Sequence, residues 1–160
     1  MSRKGSSPIR PRQPDLHTQS ETVTRLIGYV LKDGRKSVAE KQVYDAVDLL
    51  AKEFGQDQAI PTLEKAIETI KPKVEVRPRR IGGAVYQVPT PVRSHRQTSL
   101  AIRWFVRAAR QLSNKQYHSF AQKLVAEIKL ILKSEGTSYN KRLEVERMAE
   151  ANKAFSHLRW

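Results

Sequence analysis

The stretch VEVRPRRIGGAVYQV, residues 74–88, decides the fold because it interrupts a chain that is otherwise patterned as helices. Apolar residues alternate with polar ones on both sides of its centre, as Val74 and Val76 do on the first side. The PRRIGG segment between the two runs contains the turn-forming residues Pro and Gly. Two extended runs around such a turn predict a two-stranded β-hairpin over residues 73–90. Because few of its residues are large and apolar, we expect the hairpin to protrude from the body of the protein.

On both sides of this stretch, apolar residues recur at intervals of three and four, which predicts amphipathic helices. Three helices are predicted before the hairpin and three after it, over residues 21–31, 37–54, 58–70, 91–112, 116–133 and 139–155. We therefore predict a mainly α protein, a bundle of about six helices with one protruding two-stranded β-hairpin.

Hydroxyl residues near two of these boundaries predict where the first and second helices begin. Thr18 with Glu21, and Ser37 with Glu40, have the spacing of capping boxes, in which each side chain caps the other residue's backbone. Gly34 lies where a left-handed residue would end the first helix.

The 160-residue chain suits a single domain with a sizeable core. It has no cysteine, which excludes disulfides and thiolate metal sites. No apolar run approaches the roughly 20 residues of a membrane helix, and the opening MSRKGSSPIRPRQP lacks the apolar core of a signal peptide. We expect a flexible basic N-terminal arm over residues 1–19, a helical domain over residues 20–155 and a C-terminal tail over residues 156–160.

Positive charge is concentrated in one part of the chain. Residues 71–111 hold ten of the thirty Lys and Arg residues and a single acid, Glu75, whereas residues 21–70 hold seven basic and nine acidic residues. A balanced helical segment joined to a concentrated cationic one is typical of a protein that binds a polyanion.

Five arginines form a stripe on the predicted fourth helix. At about 100° per residue they fall within an arc of roughly 100°, beside an apolar arc that includes Trp104 and Phe105. An arginine fork binds phosphate oxygens in a bidentate manner. No acid occurs among residues 76–126, so we interpret the stripe as a phosphate-binding face and not as an ordinary solvated one. The five are Arg93, Arg96, Arg103, Arg107 and Arg110.

A second basic cluster lies on the hairpin and consists of Lys73, Arg77, Arg79 and Arg80. Gly82 and Gly83 either let another chain approach the backbone closely or simply form a tight turn. Tyr86 either stacks on an exposed base or packs across the strands. Arg35 and Lys36, between the first two helices, are a further candidate phosphate clamp.

Patterns of catalytic residues are missing from the sequence. The four histidines are scattered, and no set of residues has metal-ligand spacing. Gly82-Gly83 is not followed by the Lys-Ser/Thr of a P-loop. We therefore predict no enzyme, no catalytic residue, no metal, no cofactor and no small-molecule substrate.

Four stretches resemble the bacterial-type small-subunit ribosomal protein seven family. The most specific is RRIGGAVYQVP, residues 79–89, and DGRKSVAE, residues 33–40, agrees with the family's first helix connection. LAIRWFVRAAR, residues 100–110, and MAEANKAFSHLRW, residues 148–160, agree with its fourth helix and its C-terminal end. The resemblance covers the chain from about Pro14 onwards.

The resemblance implies a helical protein with a β-hairpin arm that binds the 3′ major domain of small-subunit rRNA and nucleates assembly of the head. It implies a place near exit-site tRNA and mRNA, with small-subunit ribosomal proteins nine and eleven as neighbours. It also implies a ribosomal location, in a bacterial cytoplasm or an organelle interior, and no membrane partner.

Charge and resemblance together assign residues to two surfaces. The expected rRNA-binding residues are Arg3, Lys4, Arg10, Arg12, Arg35, Lys36, Lys73, Arg77, Arg93, Arg96, Arg103, Arg107, Arg110, Lys115, Lys141 and Arg142. The residues expected on the exit-site side are Arg79, Arg80, Gly82, Gly83, Tyr86, Lys153, Arg159 and Trp160. The sequence departs from the family's basic turn after the fourth helix, where it has QLSN at residues 111–114.

The main alternative is a non-ribosomal DNA-binding helical module with a β-ribbon arm. It would place the fourth helix in a major groove. Arginines dominate that helix face and short polar base-reading residues are few, which argues against sequence reading of duplex DNA.

Overall fold

Within residues 13–158, which the computed structural model describes, six α-helices and one β-hairpin follow one another in the predicted order. The elements are α1 (Glu21–Val30), α2 (Lys36–Phe54), α3 (Gln56–Thr69), β1 (Val74–Ile81), β2 (Ala84–Pro91), α4 (Ser94–Gln111), α5 (Phe120–Leu132), α6 (Thr137–Ala151) and a final 3₁₀ helix (Lys153–Leu158). The predicted fold class, mainly helical with a two-stranded antiparallel hairpin, is confirmed.

Helix α5 forms the centre of the bundle. It contacts α2, α3, α4 and α6, and eight of its 13 residues are buried. A helix that is apolar on nearly all sides has to be surrounded by other elements. Leu124, Ile128 and Ile131 on α5 pack with Phe105 of α4 in the main core cluster. The core therefore holds the apolar face of α4 in place, and the opposite face of the helix is exposed to solvent.

The hairpin lies within one residue of its predicted position, and its strands are regular to the tip. Its strands pair antiparallel from Val74 opposite Pro91 to Ile81 opposite Ala84. Gly82 and Gly83 form the two-residue turn, with φ of 57° and 86°. Positive φ at both turn residues is the type I′ requirement and favours glycine there.

The base of the hairpin is packed and its tip is exposed. Val88 is fully buried at the base, whereas Arg80 and Val85 near the tip are exposed. The final 3₁₀ helix lies against β2, and the rings of Tyr86 and Phe155 are 5.4 Å apart between centroids. The C-terminal segment therefore braces the hairpin, through a contact of Tyr86 that the sequence pattern did not predict.

Both predicted capping boxes are wrong. The N-cap of α1 is Ser20, which makes no side-chain cap, and Thr18 donates its hydroxyl to Asp15 at 3.0 Å instead. Helix α2 already includes Ser37, because its N-cap is Arg35. Thr18 lies two residues before the N-cap of α1, and Ser37 lies inside the first turn of α2. Neither hydroxyl therefore occupies the N-cap position from which a side chain accepts a first-turn N–H group.

The true capping box begins α5 and was missed by the sequence pattern. Ser119 accepts a hydrogen bond from the backbone N–H of Gln122, whose side chain caps Ser119 in return. This explains why α5 starts at Phe120 and not at residue 116. Likewise, α4 starts at Ser94 and not at residue 91, because β2 continues through Pro91.

Part of the predicted N-terminal arm is attached to the helical body. Asp15 accepts a hydrogen bond from the Tyr44 hydroxyl at 2.7 Å, and the rings of His17 and Tyr44 meet edge to face. Burial and the hydrogen bond to Asp15 raise the pKa of Tyr44 to about 12. The hydroxyl is therefore protonated near neutral pH and donates the hydrogen bond that ties Asp15 to α2.

A buried carboxylate fixes the start of α6. Glu127 on α5 is 0% exposed, and its Oε1 accepts hydrogen bonds from the Ser138 backbone at 3.1 Å and hydroxyl at 2.5 Å. Gly136 directly precedes α6 and has φ of 98°, and a Cβ on this residue would lie 3.0 Å from Glu127 Oε1. Only glycine therefore fits this turn without displacing the carboxylate.

Candidate nucleic-acid interface

The predicted arginine stripe exists as an exposed face of α4 and of its N-cap residue, Arg93. Arg93, Arg96, Arg103, Arg107 and Arg110 are all exposed. The other side of the helix is buried, with Phe105 and Ile102 at 0% exposure. The helix therefore displays the stripe from a rigid base, which limits the entropy that its backbone would lose on binding.

The stripe is not free of acids, which corrects one expectation. Glu75 of β1 lies beside the start of α4, and its Oε2 is 2.8 Å from Arg96 Nε. Arg77 lies 2.6 Å from the same carboxylate. The pairing crosses 21 residues of sequence, so a search for nearby carboxylates along the helix could not find it. The sequence did contain a signal, because Glu75 is the single acid among residues 71–111.

Glu75 is held ionised by its two partners. Glu75 is only 8% exposed, and this burial by itself would raise the pKa of its carboxyl group. The hydrogen bonds and charges of Arg96 and Arg77 outweigh that effect and hold the pKa of Glu75 below its ordinary value. The three groups together keep one net positive charge, and the carboxylate fixes the directions of both guanidinium groups.

Two arginines in the middle of the stripe have a different environment. Within residues 13–158, the side chains of Arg103 and Arg107 make no hydrogen bond or ion pair with protein groups. They are four residues apart on one helix and therefore neighbours on its surface. Their guanidinium donors are available to a ligand, and phosphate oxygens match them in charge and geometry.

The end of the stripe adjoins the loop after α1. Arg110 donates a hydrogen bond to the backbone oxygen of Val30 at 3.1 Å, which satisfies a carbonyl at the end of that helix. Arg35 at the end of the following loop and Lys36 at the start of α2 are exposed, and Lys36 lies 3.3 Å from Glu40. The hydrogen bond to Val30 thus places the end of the stripe beside the end of α1, 80 residues away in the sequence.

The remaining predicted rRNA contacts differ in their surroundings. Lys73 and Lys115 are exposed. Lys141 pairs with Glu144 at 2.7 Å on the same helix. Arg142 donates to the backbone oxygen of Thr69 at 2.6 Å and lies over the ring of Tyr139. These contacts favour a structural role for Arg142, which ties α6 to the end of α3.

The turn after α4, where the sequence departs from the family pattern, is stabilised by a buried lysine of α5. Lys123 of α5 is 7% exposed. Its ammonium group donates to the Leu112 backbone oxygen at 2.5 Å and to Asn114 Oδ1 at 2.6 Å. A buried lysine needs such partners, and here they fix the shape of this turn from its inner side.

On the predicted exit-site surface, Arg80, Gly82, Gly83 and Lys153 are exposed, and Arg79 is half-buried. A Cβ at either glycine would meet no atom within 4 Å, so open space surrounds the turn. The predicted contacts Arg3, Lys4, Arg10, Arg12, Arg159 and Trp160 lie outside the described residues.

Residues 13–158 contain no group of three or more His, Asp or Glu side chains placed to hold a metal ion. Over the same residues, no helix has the length and apolar character needed to cross a membrane.

The chain is similar to known proteins over its whole length. The sequence model of the family described as "Ribosomal protein S7p/S5e" matches residues 2–153. The small ribosomal subunit protein uS7 of Stenotrophomonas maltophilia is 46% identical over 160 residues, the full length of both chains. The uS7 proteins of Xanthomonas oryzae and Xylella fastidiosa are each 47% identical, again over the full length of both chains. The chain therefore belongs to the S7p/S5e family of ribosomal proteins and is a structural, non-enzymatic constituent of the small ribosomal subunit.

Proposed function

We propose that the protein binds the 3′ major domain of small-subunit rRNA and nucleates assembly of the subunit head. The observation that supports this most directly is the pair Arg103 and Arg107, exposed on a rigid helix and without a carboxylate partner among residues 13–158. Arg96, Arg110 and Arg77 have internal contacts that orient them. The surface therefore combines fixed positive groups with free ones.

The proposed mechanism is scaffolding. Arginine forks neutralise phosphates from separate rRNA helices and hold those helices at a fixed distance. Phosphate contacts supply most of the affinity, whereas the shape of the RNA and its splayed-out bases supply specificity. The α4 stripe, the loop at Arg35 and Lys36, and the basic residues 1–12 contact different parts of the RNA in this proposal.

We assign the hairpin tip to the exit-site side of the subunit. Arg79, Arg80 and the Gly82-Gly83 turn would approach tRNA and mRNA, together with Lys153 and the C-terminal Arg159 and Trp160. Small-subunit ribosomal proteins nine and eleven are the proposed neighbours. The exposed tip and its brace by Phe155 support this assignment, because a projecting element needs a fixed direction to reach a partner.

The central test removes the two free arginines. R103Q/R107Q should weaken binding to a multi-helix fragment of the 3′ major domain, while the circular dichroism spectrum stays helical. If both groups bind phosphate, the slope of log K against log salt should fall by about one per residue. K52Q/K65Q is the matched control, since these exposed lysines lie on α2 and α3 in the charge-balanced segment.

Unchanged affinity of R103Q/R107Q would remove α4 from the proposed interface. A duplex DNA competitor added to the same titration tests the DNA-binding alternative, and stronger binding to the duplex would overturn the proposal.

The compartment of the ribosome is also a proposal. The three relatives named above are bacterial, which favours a bacterial cytoplasm over an organelle interior. Co-sedimentation with small subunits from fractionated cells would decide between them.

A further inference from the structure

A cleft separates the C-terminal half of α4 from the first turns of α6. Its volume is about 470 Å³, within the size range of small-ligand pockets. Trp104, Arg107 and Gln111 line it from α4, and Thr137 and Asn140 line it from α6. Arg107 thus belongs both to the stripe and to the rim of this cleft.

Trp104 gives the cleft an aromatic wall. Its side chain is half-buried. Within residues 13–158, it has no aromatic ring contact and its indole N–H has no hydrogen-bond partner. Among residues 13–158, the indole nitrogen does not belong to the fully buried atoms that lack a partner, so the N–H group is reachable from solvent. The indole therefore offers both a flat apolar face and an unused donor.

Two amides complete the set of polar groups. Gln111 and Asn140 are exposed on opposite walls, and their side-chain amides make no hydrogen bond in the described part of the chain. An amide both donates and accepts, as the edge of a nucleobase does. Groups of this kind around an aromatic face can hold an unpaired base.

The α6 wall disfavours a phosphate as the occupant. Helix N-termini generally attract anions, but the buried carboxylate of Glu127 already accepts the backbone N–H of Ser138 here. Glu144 adds a second carboxylate on that wall, paired with Lys141. The positive side of the cleft is therefore the α4 rim at Arg107, which places the phosphate there and the base inside.

We propose that this cleft receives a single unpaired nucleotide, turned out of an RNA helix. The base stacks on Trp104 and its edge meets the amides of Gln111 and Asn140, while its phosphate binds Arg107. This inference rests on the proposed rRNA binding and adds to it a base-specific subsite.

Trp104 fluorescence tests the stacking directly. The chain has two tryptophans, so W160F leaves Trp104 as the single reporter. Saturation of this variant with the 3′ major domain fragment should quench its emission. Replacing the indole by W104L should lower RNA affinity on the order of 10- to 100-fold, provided that the circular dichroism spectrum stays helical.

Q111A and N140A test the base contacts without changing the core. Each should lower affinity on the order of 3- to 10-fold without changing the salt slope, because no charge is removed. Q58A, an exposed amide on α3, is the matched control and should bind as the unmodified protein does.

Three outcomes would overturn the subsite. The fragment could bind normally with Trp104 emission unchanged, or both amide variants could bind like Q58A. Quenching by other small-subunit proteins but not by RNA would assign the cleft to a protein. If the unmodified protein fails to bind the fragment at all, the proposed function itself is wrong, so the two failures are distinguishable.

Discussion

At the scale of single residues, Glu75 is the side chain whose role depends most on its surroundings. By charge alone it lowers the positive charge of the cationic segment by one. In the structure it orients Arg77 and Arg96 through hydrogen bonds of 2.6 and 2.8 Å. Its contribution is therefore to the geometry of the interface as well as to stability.

We predict that E75Q destabilises the fold by about 1 kcal/mol at pH 7, because charged hydrogen bonds to two arginines are weakened. The pKa of Glu75 is below its ordinary value in the folded state. The stabilisation is therefore complete above the unfolded-state pKa and is lost as the pH falls through the lower, folded-state pKa. Urea unfolding of both proteins between pH 7 and pH 3 should show their difference shrinking on the acid side.

E21Q is the control for that series. Glu21 pairs with Arg25 on the exposed side of α1, and a surface pair of this kind contributes only a few tenths of a kcal/mol. Equal effects of E75Q and E21Q would show that the Glu75 cluster contributes nothing beyond an ordinary surface pair.

Gly136 gives a second prediction, about steric fit. G136A should destabilise by about 1–3 kcal/mol through backbone strain, plus a further loss because its Cβ would lie 3.0 Å from Glu127 Oε1 and 3.1 Å from Leu130 Cβ. G55A has similar φ, 95°, and no atom within 4 Å of its Cβ, so it measures strain alone. The urea midpoint of unfolding should be lower for G136A than for G55A. Equal midpoints would mean that the Glu127 carboxylate moves aside without a cost in stability.

At the scale of elements, the hairpin and the final 3₁₀ helix act together. The paired strands alone would be marginally stable if they projected into water. The buried base at Val88 and the contact between Tyr86 and Phe155 supply the missing support. The sequence predicted the hairpin from alternation and glycine, but the brace joins residues far apart in the chain.

The antiparallel register allows the hairpin to be shortened without disturbing its brace. Deleting Arg80-Ile81 together with Ala84-Val85 joins the pair Arg79 and Tyr86 directly to the Gly82-Gly83 turn. Two residues are lost from each strand, so the alternation of pair types is preserved. We predict unchanged affinity for the rRNA fragment and assembly of the head, with weaker retention of exit-site tRNA on purified subunits.

The full-length protein, reconstituted in parallel, is the control for the shortened hairpin. A shortened protein that fails to support head assembly would show that the tip contacts rRNA and would contradict its assignment to the exit site.

At the scale of the whole molecule, charge is distributed unevenly over a helical body. The chain has a net charge of +14, yet α2 and α3 contain more acids than bases. Charge neutralisation on binding releases counterions from RNA. About six to ten phosphate contacts would lower the affinity on the order of 10³–10⁵-fold between 50 and 200 mM salt. A salt titration against the rRNA fragment checks this, and a flat profile would contradict phosphate-dominated binding.

The sequence by itself determined the helices, the hairpin and the stripe on α4, because these depend on local periodicity, on glycine in a turn and on the angular spacing of residues along one helix. Only the tertiary structure decided that Glu75 pairs with Arg96, that Phe155 braces Tyr86 and that Trp104 faces Asn140 across a cleft. Each of these contacts joins segments separated by many residues, and their distance depends on how the core packs α5 against its neighbours. No local pattern contains that information, since it arises from the combined shape of the buried side chains.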